Sequence, residues 1–567
     1  MWGPITEQYA ALREQYMVIR EVMAPLRLTR WELVQLSLRK AHRDQTIWWS
    51  ELVRNFSRIS DSKPFSISAT VIVMLVGVYM LDRVMSYSTS LSRRGIPILK
   101  RPRGVHRWDY EAIVASGARQ YPNTPFIITY SGYEYVVYPA SCFNEVKRLN
   151  ADTASTLEYF THVFFQGWRH LGKDTSVLHN TIALDLSRAV PIGISHREQS
   201  ARSACDSTIG SCRDWKSFPL YWTIQEIIAN TNSTGLVGPR LGTDRRWLTA
   251  VQRFSVVMAV AIYISHAVPR LFRSIVSTLA FLPARVLYWY MKCLLYPMIE
   301  TDIKEYEKAA ACPNRKDLDN LLTETLKTKF PIVAWLKTRY PSQESSVEQI
   351  SRDLITLSFE STPSSALTLY FILIELIIRP DIMEEIREEV SSLLVDGHLP
   401  QSPLSEMKKL DSFMRESTRM NPFSYLTLYR RLSRPLKLSV GPELPTGALI
   451  CVDAHSIITS QALWGDPDSF KPDRFLKMRE KEGHGTRHQF TSLGSDSPGW
   501  GDGPQGCPGR IFAGNTIKII LAHLLLNYDF RLPDGVEKPK RQSMPNGSFA
   551  PDLGCCILVR ERKRSAK

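Results

Sequence analysis

Between Trp500 and Ala513 the chain reads WGDGPQGCPGRIFA, a lone cysteine in a glycine-dense loop that opens directly into an apolar run. Few folds accommodate that order. Gly501, Gly503 and Gly506 let the backbone turn tightly and approach a flat ligand, and the apolar spacing that follows predicts a helix from about Ile511 to Leu526. Such a helix points its positive end at Cys507, and both features favour an ionised thiolate, the form that binds metal. A lone cysteine is more often a small buried core residue, so Cys507 has to be judged with its surroundings.

Three further segments precede it in order. Residues 411–422, DSFMRESTRMNP, place Glu416 and Arg419 one turn apart on a helix that ends before Pro422. Residues 470–475, FKPDRF, present Arg474 some fifty residues on. Earlier still, Ser351 to Ile377 predicts one long helix, interrupted by Ser361-Thr362-Pro363-Ser364-Ser365. Pro363 there removes a backbone hydrogen bond and forces a kink.

Taken in this order, the segments resemble the cytochrome P-450 family. The resemblance covers roughly Arg93 to the C-terminus and is most specific in the last 170 or so residues. It implies a mainly α fold with a smaller β region, preceded by a single N-terminal transmembrane helix, and haem b as cofactor with Cys507 as the axial iron ligand. Trp500 stands where the family usually has Phe, and Gly501, Gly503 and Gly509 fall on its glycine positions. Gln505 departs from the Arg or His that contacts a haem propionate; an amide donates a hydrogen bond but forms no ion pair. Glu416, Arg419 and Arg474 match the family's Glu-Arg-Arg triad, which fixes the loop before the cysteine through directional charged hydrogen bonds.

On the long helix, Ser364 aligns with the threonine whose hydroxyl holds the bound oxygen, and Pro363 takes the place of the neighbouring acid, where it cannot relay a proton. Glu360, about one turn earlier, is either an alternative proton source through water or a solvent-facing carboxylate. Arg430 and Arg510 are further candidates for the propionates. For substrate contacts the resemblance points to Phe359, Ser361, Tyr425 to Leu428, and Phe549, each of which serves equally well as core packing.

Residues 65–81, FSISATVIVMLVGVYML, carry no charge over 17 positions and reach about 25 Å as a helix, close to a thin bilayer's core. A buried core helix is the alternative. Arg83, Arg93, Arg94, Lys100 and Arg101 follow, against Arg54, Arg58 and Lys63 before, so the positive-inside rule puts the C-terminal body in the cytosol, on the endoplasmic reticulum. Residues 82–104 read as a basic, proline-containing linker and 105–567 as the catalytic domain. Residues 1–63 hold a short heptad repeat, EQYAALR, EQYMVIR, EVMAPLR, which suits an amphipathic helix, a coiled coil, or a misassigned gene start. If this segment is lumenal, Asn55-Phe56-Ser57 is a glycosylation triplet. A second apolar region, Val256 to Pro297, is interrupted by His266, Pro269, Arg270, Arg273 and Arg285 into pieces too short to span, and reads as core helices near a substrate entrance.

The formal charge of +15 is spread along the chain rather than massed, which argues against nucleic acid. Nine cysteines without zinc-type spacing argue for reduced thiols. No Gly-x-Gly-x-x-Gly or flavin motif appears, so electrons must come from another protein, by resemblance a membrane-bound NADPH-dependent reductase whose acidic face suits a basic partner. The expected activity is a monooxygenase inserting one atom of O2 into an apolar substrate, in the style of fungal specialised metabolism on terpenoids or alkaloids. Two alternatives stand beside it: a haem-thiolate isomerase or dehydratase without net oxygenation, and a non-catalytic membrane scaffold.

Overall fold

Pro363 breaks the chain more sharply than a kink. In the computed structural model, which describes residues 91–562 apart from 131, 166–175, 269, 313–314, 342–344, 400–402 and 545–547, together with Gly77 and Met80, the expected Ser351–Ile377 helix is two helices. One runs Val347–Glu360 and the next Pro363–Ile377, with Ser361 and Thr362 between them. The Ser346 hydroxyl accepts from Gln349 N–H to start the first, and Pro363 begins the second at the position where its missing N–H costs least.

The chain divides into two units, Met1–Thr89 and Ser90–Lys567. The heptad segment, Asn55 and, apart from Gly77 and Met80, the apolar run 65–81 lie outside the described residues. The linker expected over 82–104 is part of the folded second unit from residue 90 onward. Leu91, Ile96 and Leu99 are buried, and Leu99 and Ile127 exchange backbone bonds of 2.8 Å with Ile127 and Pro97.

The second unit is mainly helical, as expected. Strands β1 (Phe126–Tyr130), β2 (Tyr133–Tyr138), β3 (Ala154–Ser155), β5 (Leu426–Leu432) and β6 (Leu449–Asp453) form one sheet in the order β1-β2-β6-β5-β3. Strands β4 (Lys216–Pro219), β7 (Tyr528–Arg531) and β10 (Cys556–Glu561) form a second, in the order β4-β10-β7, and β8 (Gln542–Ser543) pairs with β9 (Phe549–Ala550). The helices that matter for the site are α1 (Ile194–Thr208), α2 (Leu220–Gly242), α3 (Arg245–Ala267), α4 (Arg270–Ala280), α5 (Leu282–Ala311), α6 (Val347–Glu360), α7 (Pro363–Ile377), α8 (Lys408–Met420) and α9 (Arg510–Asn527).

The helix after Cys507, α9, starts one residue earlier and ends one later than the apolar spacing predicts. It is apolar all round because it is buried all round: Ile517, Ile519, Ile520, Leu521, Leu524 and Leu525 are fully or nearly fully enclosed, each contributing about 1.5–3 kcal/mol. Lys518 pins it to α8 through the Asp411 carboxylate at 2.5 Å. The second apolar region forms core helices as expected, with α3 ending at Ala267 and α4 at Ala280, although Arg285 and Pro297 do not interrupt α5. Its first helix, α3, is long and apolar enough to cross a membrane, yet packs Trp247, Ala250, Val251, Phe254, Met258 and Ala261 into the core.

Candidate active site

Three backbone features shape the cysteine loop. Gly501 has φ 68° and ψ −163°, a region only glycine occupies comfortably, and Gly503 has φ 70° with a Cβ position only 2.1 Å from the Lys147 carbonyl oxygen. The Cys507 N–H closes the loop onto the Trp500 carbonyl at 2.8 Å, while the Trp500 indole donates to the Phe490 carbonyl at 2.7 Å. Arg510 bonds back to the Cys507 carbonyl at 3.1 Å and so braces the loop.

The loop and the helix start pull Cys507 toward the thiolate as expected, but burial outweighs them. Burial pushes the thiol up to about 11; the Gly509 N–H and Arg510 lower it, the nearby Glu360 raises it, and desolvation outweighs the helix terminus. A metal at the sulfur would supply the missing positive charge. Among the described residues no group of three or more His, Cys, Asp or Glu side chains is placed to hold a metal ion. A single cysteine therefore suits a metal that brings its other ligands with it.

The triad residues come together as a fully buried ion-pair cluster. Arg419 grips Glu416 through two bonds of 2.8 and 2.9 Å, Arg474 Nε reaches both carboxylate oxygens at 3.0 and 3.1 Å, and Lys471 N–H adds a third partner at 3.0 Å. The remaining guanidinium donors bind the carbonyls of Ile458, Trp464, Asp466, Pro467 and Ser469, fixing the 458–474 segment. Asp411 and Arg415 extend this bracing toward the cysteine: Asp411 accepts from Phe490 N–H at 2.8 Å, and Arg415 binds the Gln489 carbonyl and Asp496 at 2.7 and 2.9 Å. Sequence reading missed both, because single residues on an already assigned helix carry no motif.

Gln505 is not free for a propionate. Its amide oxygen accepts from Thr156 N–H at 2.8 Å and its nitrogen donates to the Leu149 and Ala154 carbonyls at 3.0 and 2.8 Å, so it ties the cysteine loop to the strand β3 region. Arg430 fits the anionic role better. It sits beside a register shift in the β5–β6 pairing and is 2 % exposed, with only Nη1 bonded, to the Tyr429 carbonyl at 2.8 Å. Its Nε and Nη2 are buried without a partner, and burial pulls its pKa down to about 10. A buried guanidinium in that condition has two donor atoms available to an anion. His179, which no motif announced, is held below its usual pKa by burial and by the Arg510 charge. The π-helical turn Thr181–Leu186 follows it, and Ile182 approaches Gly509.

Glu360 lies close enough to Cys507 for its charge to act on the thiol. It keeps accessible surface, yet the protein packed around it desolvates its carboxyl and lifts it to about 7. Ser364 hydrogen-bonds the Glu360 carbonyl at 3.2 Å across the helix break. Half-buried Phe359 meets Phe254 of α3 edge-on at 5.5 Å, and the Ser361 hydroxyl turns back to Ser358. The other proposed substrate contacts are packed away. Tyr425 and Phe549 close a small cluster with Ile458, their rings 5.2 Å apart and Arg541 bonded to the Tyr425 hydroxyl, while Leu428, at φ 50°, is buried in the sheet core beside Gly501.

Comparison with known proteins agrees with this geometry. The Cytochrome P450 family pattern matches residues 262–554. The cytochrome P450 monooxygenase ffsD of Aspergillus flavipes is 39 % identical over 549 residues, 97 % of this chain and 99 % of its own. The pyrichalasin C-18 hydroxylase of Pyricularia grisea is 36 % identical over 551 residues, 97 % of this chain and 98 % of its own. A solved structure, retinoic acid-bound cyanobacterial CYP120A1, shares the fold at TM-score 0.56 and 14 % identity, over 79 % of this chain and 94 % of that one. The chain belongs to the cytochrome P450 family and is a haem-dependent monooxygenase of the kind found in fungal secondary metabolism.

Proposed function

We propose that this monooxygenase hydroxylates an apolar intermediate of a fungal secondary metabolite, of the terpenoid or alkaloid class. One oxygen atom enters a C–H bond and the other leaves as water, with two electrons from NADPH, passed through a reductase, and two protons. When bound, the haem supplies the one-electron and O2 chemistry, and an axial thiolate favours O–O cleavage. The observation that carries the reading is a cysteine in a braced loop with no metal-ligating group of side chains among the described residues, in a chain whose Arg430 guanidinium is buried with Nε and Nη2 unpartnered.

Cys507 would hold the iron, with Arg430 and Arg510 as the cations for the propionates and the neutral His179 as a hydrogen-bonding group beside Arg510. Glu416, Arg419 and Arg474 keep the loop in register, so their effect on the chemistry is indirect. The Glu360 carboxyl, part-protonated at neutral pH, would deliver protons in place of the acid that Pro363 displaces, and the Ser364 hydroxyl would orient the relaying water. Phe359 and Ser361 border the substrate. Ile275, Leu279, Leu282, Val286 and Trp289 form an exposed apolar stripe along α4 and α5 that suits a lipid surface, where apolar substrates concentrate. With a membrane helix at 65–81, the catalytic unit would sit on the cytosolic face of the endoplasmic reticulum, and its charge of +15 favours an acidic reductase.

Reconstitution with NADPH-dependent reductase under labelled O2, fed an extract of a strain lacking this gene, tests the reaction. One labelled atom per turnover is expected. Turnover without label means an isomerase or dehydratase, which Pro363 in the acid's place would suit. Deleting residues 1–63 should leave turnover intact; its loss would favour the scaffold reading.

A further inference from the structure

The break between α6 and α7 leaves the Ser361 carbonyl without the helical N–H it would otherwise meet, and one side chain from a different helix takes it up. Asn232 of α2, 2 % exposed, donates from Nδ2 to the Ser361 oxygen at 3.1 Å. Its Oδ1 accepts from Thr516 Oγ1 at 3.2 Å, on α9, and from Arg197 Nη2 at 3.4 Å, on α1. Arg197 is fully buried, bonds Thr516 as well, and lies 4.1 Å over the ring of Phe512, five residues after Cys507. Burial lowers its pKa to about 9, and its Nε and Nη1 have no partner. A buried charge with its hydrogen bonds half made is costly and persists where the surrounding structure gains by it.

We infer that Asn232, oriented by Arg197 and Thr516, is a positioning residue that holds the helix break in one conformation, and so fixes Glu360 and Ser364 relative to Cys507. The network joins the helix that starts at the cysteine to the break between α6 and α7, through four side-chain and backbone groups and no exposed link. The inference rests on the haem reading given above. Without the amide donor, the Ser361 carbonyl has no partner in the break, and losing a bond worth ~1 kcal/mol lowers the preference for one conformation about five-fold.

Asn232→Asp separates the two roles this residue can have. It keeps an acceptor for Thr516 and gives Arg197 a carboxylate, so a residue that merely packs or pairs Arg197 would leave the protein equally or more stable and otherwise unchanged. The carboxylate cannot donate to Ser361. The readouts are thermal stability, amide exchange over residues 358–366, and the C–O stretching band of the reduced carbon monoxide complex. Expected for Asn232→Asp is retained thermal stability, amide exchange about five-fold faster in the break, and a C–O band that splits or broadens; Asn232→Leu should do the same to the band with lower stability. An unchanged band and unchanged exchange in a stable Asn232→Asp protein overturn the inference alone. A wild-type complex without the red-shifted Soret band of thiolate-ligated haem overturns the haem reading and the inference with it.

Discussion

Replacing Glu416 by glutamine keeps the side chain's shape and removes its charge, which isolates what the buried carboxylate does. The wild-type carboxylate is 0 % exposed and takes both guanidinium groups and one backbone N–H between 2.8 and 3.1 Å. A glutamine oxygen can serve only part of that set, and its NH2 would confront guanidinium donors. Two buried guanidinium groups would lose their counter-charge; breaking a buried pair in this way costs about 3–5 kcal/mol. Against a total stability of ~5–15 kcal/mol that is a large share, equivalent to a shift of a hundredfold or more in the folding equilibrium at ~1.4 kcal/mol per decade. Urea titration of the haem-loaded protein, followed by the Soret band and by tryptophan fluorescence, should show a clearly lower midpoint and a lower haem content. Lys327→Ala serves as control, because its partner Glu324 and it are both more than half exposed and the loss should stay within about 1 kcal/mol. Equal midpoints for Glu416→Gln and the control would refute the claim that this cluster holds the cysteine loop.

Three further outcomes are expected. Gly503→Ala should lower stability and haem loading more than Gly501→Ala, since both demand a glycine conformation but only at Gly503 would the new Cβ collide with backbone; the comparison is read in thermal melts and haem-to-protein ratios. Folding raises the Glu360 carboxyl above its unfolded value, so the folded chain binds the extra proton and loses stability as pH rises from the ordinary carboxylate range through about 7. Glu360→Gln should therefore melt higher than wild type in haem-free protein at about pH 8, with the advantage gone near pH 4; an advantage independent of pH would contradict the buried carboxyl. With its thiol held up at about 11, Cys507 in haem-free protein should resist alkylation at neutral pH and react only in strong alkali, as peptide mass mapping would reveal.

The parts of the site legible in the sequence were those set by local chemistry in a fixed order. Glu416-x-x-Arg419, the Arg474 segment and the Cys507 loop each carry a residue spacing that survives without knowledge of the fold. The triad's geometry followed from it, as did the apolar helix after Cys507. What stayed hidden depended on neighbours distant in sequence. Gln505 stood at an anion-contact position, yet Thr156, Leu149 and Ala154, some 350 residues away, use its whole amide. Tyr425 and Phe549 looked like pocket aromatics and instead close on one another. The pull on Cys507 from its helix terminus was visible in the sequence, whereas the burial that overrides it was not. Pro363 announced a kink, but not the full break, nor that the distant Asn232 takes the stranded Ser361 carbonyl.

The central claim is tested most directly by the reduced carbon monoxide spectrum of the purified protein, wild type beside Cys507→Ser. The account predicts a red-shifted Soret band of thiolate-ligated haem in the wild type and its loss in Cys507→Ser, with the α9 helix and overall fold retained by circular dichroism. A wild-type spectrum lacking that band, or a Cys507→Ser spectrum that keeps it, would contradict the assignment of Cys507 as the iron ligand.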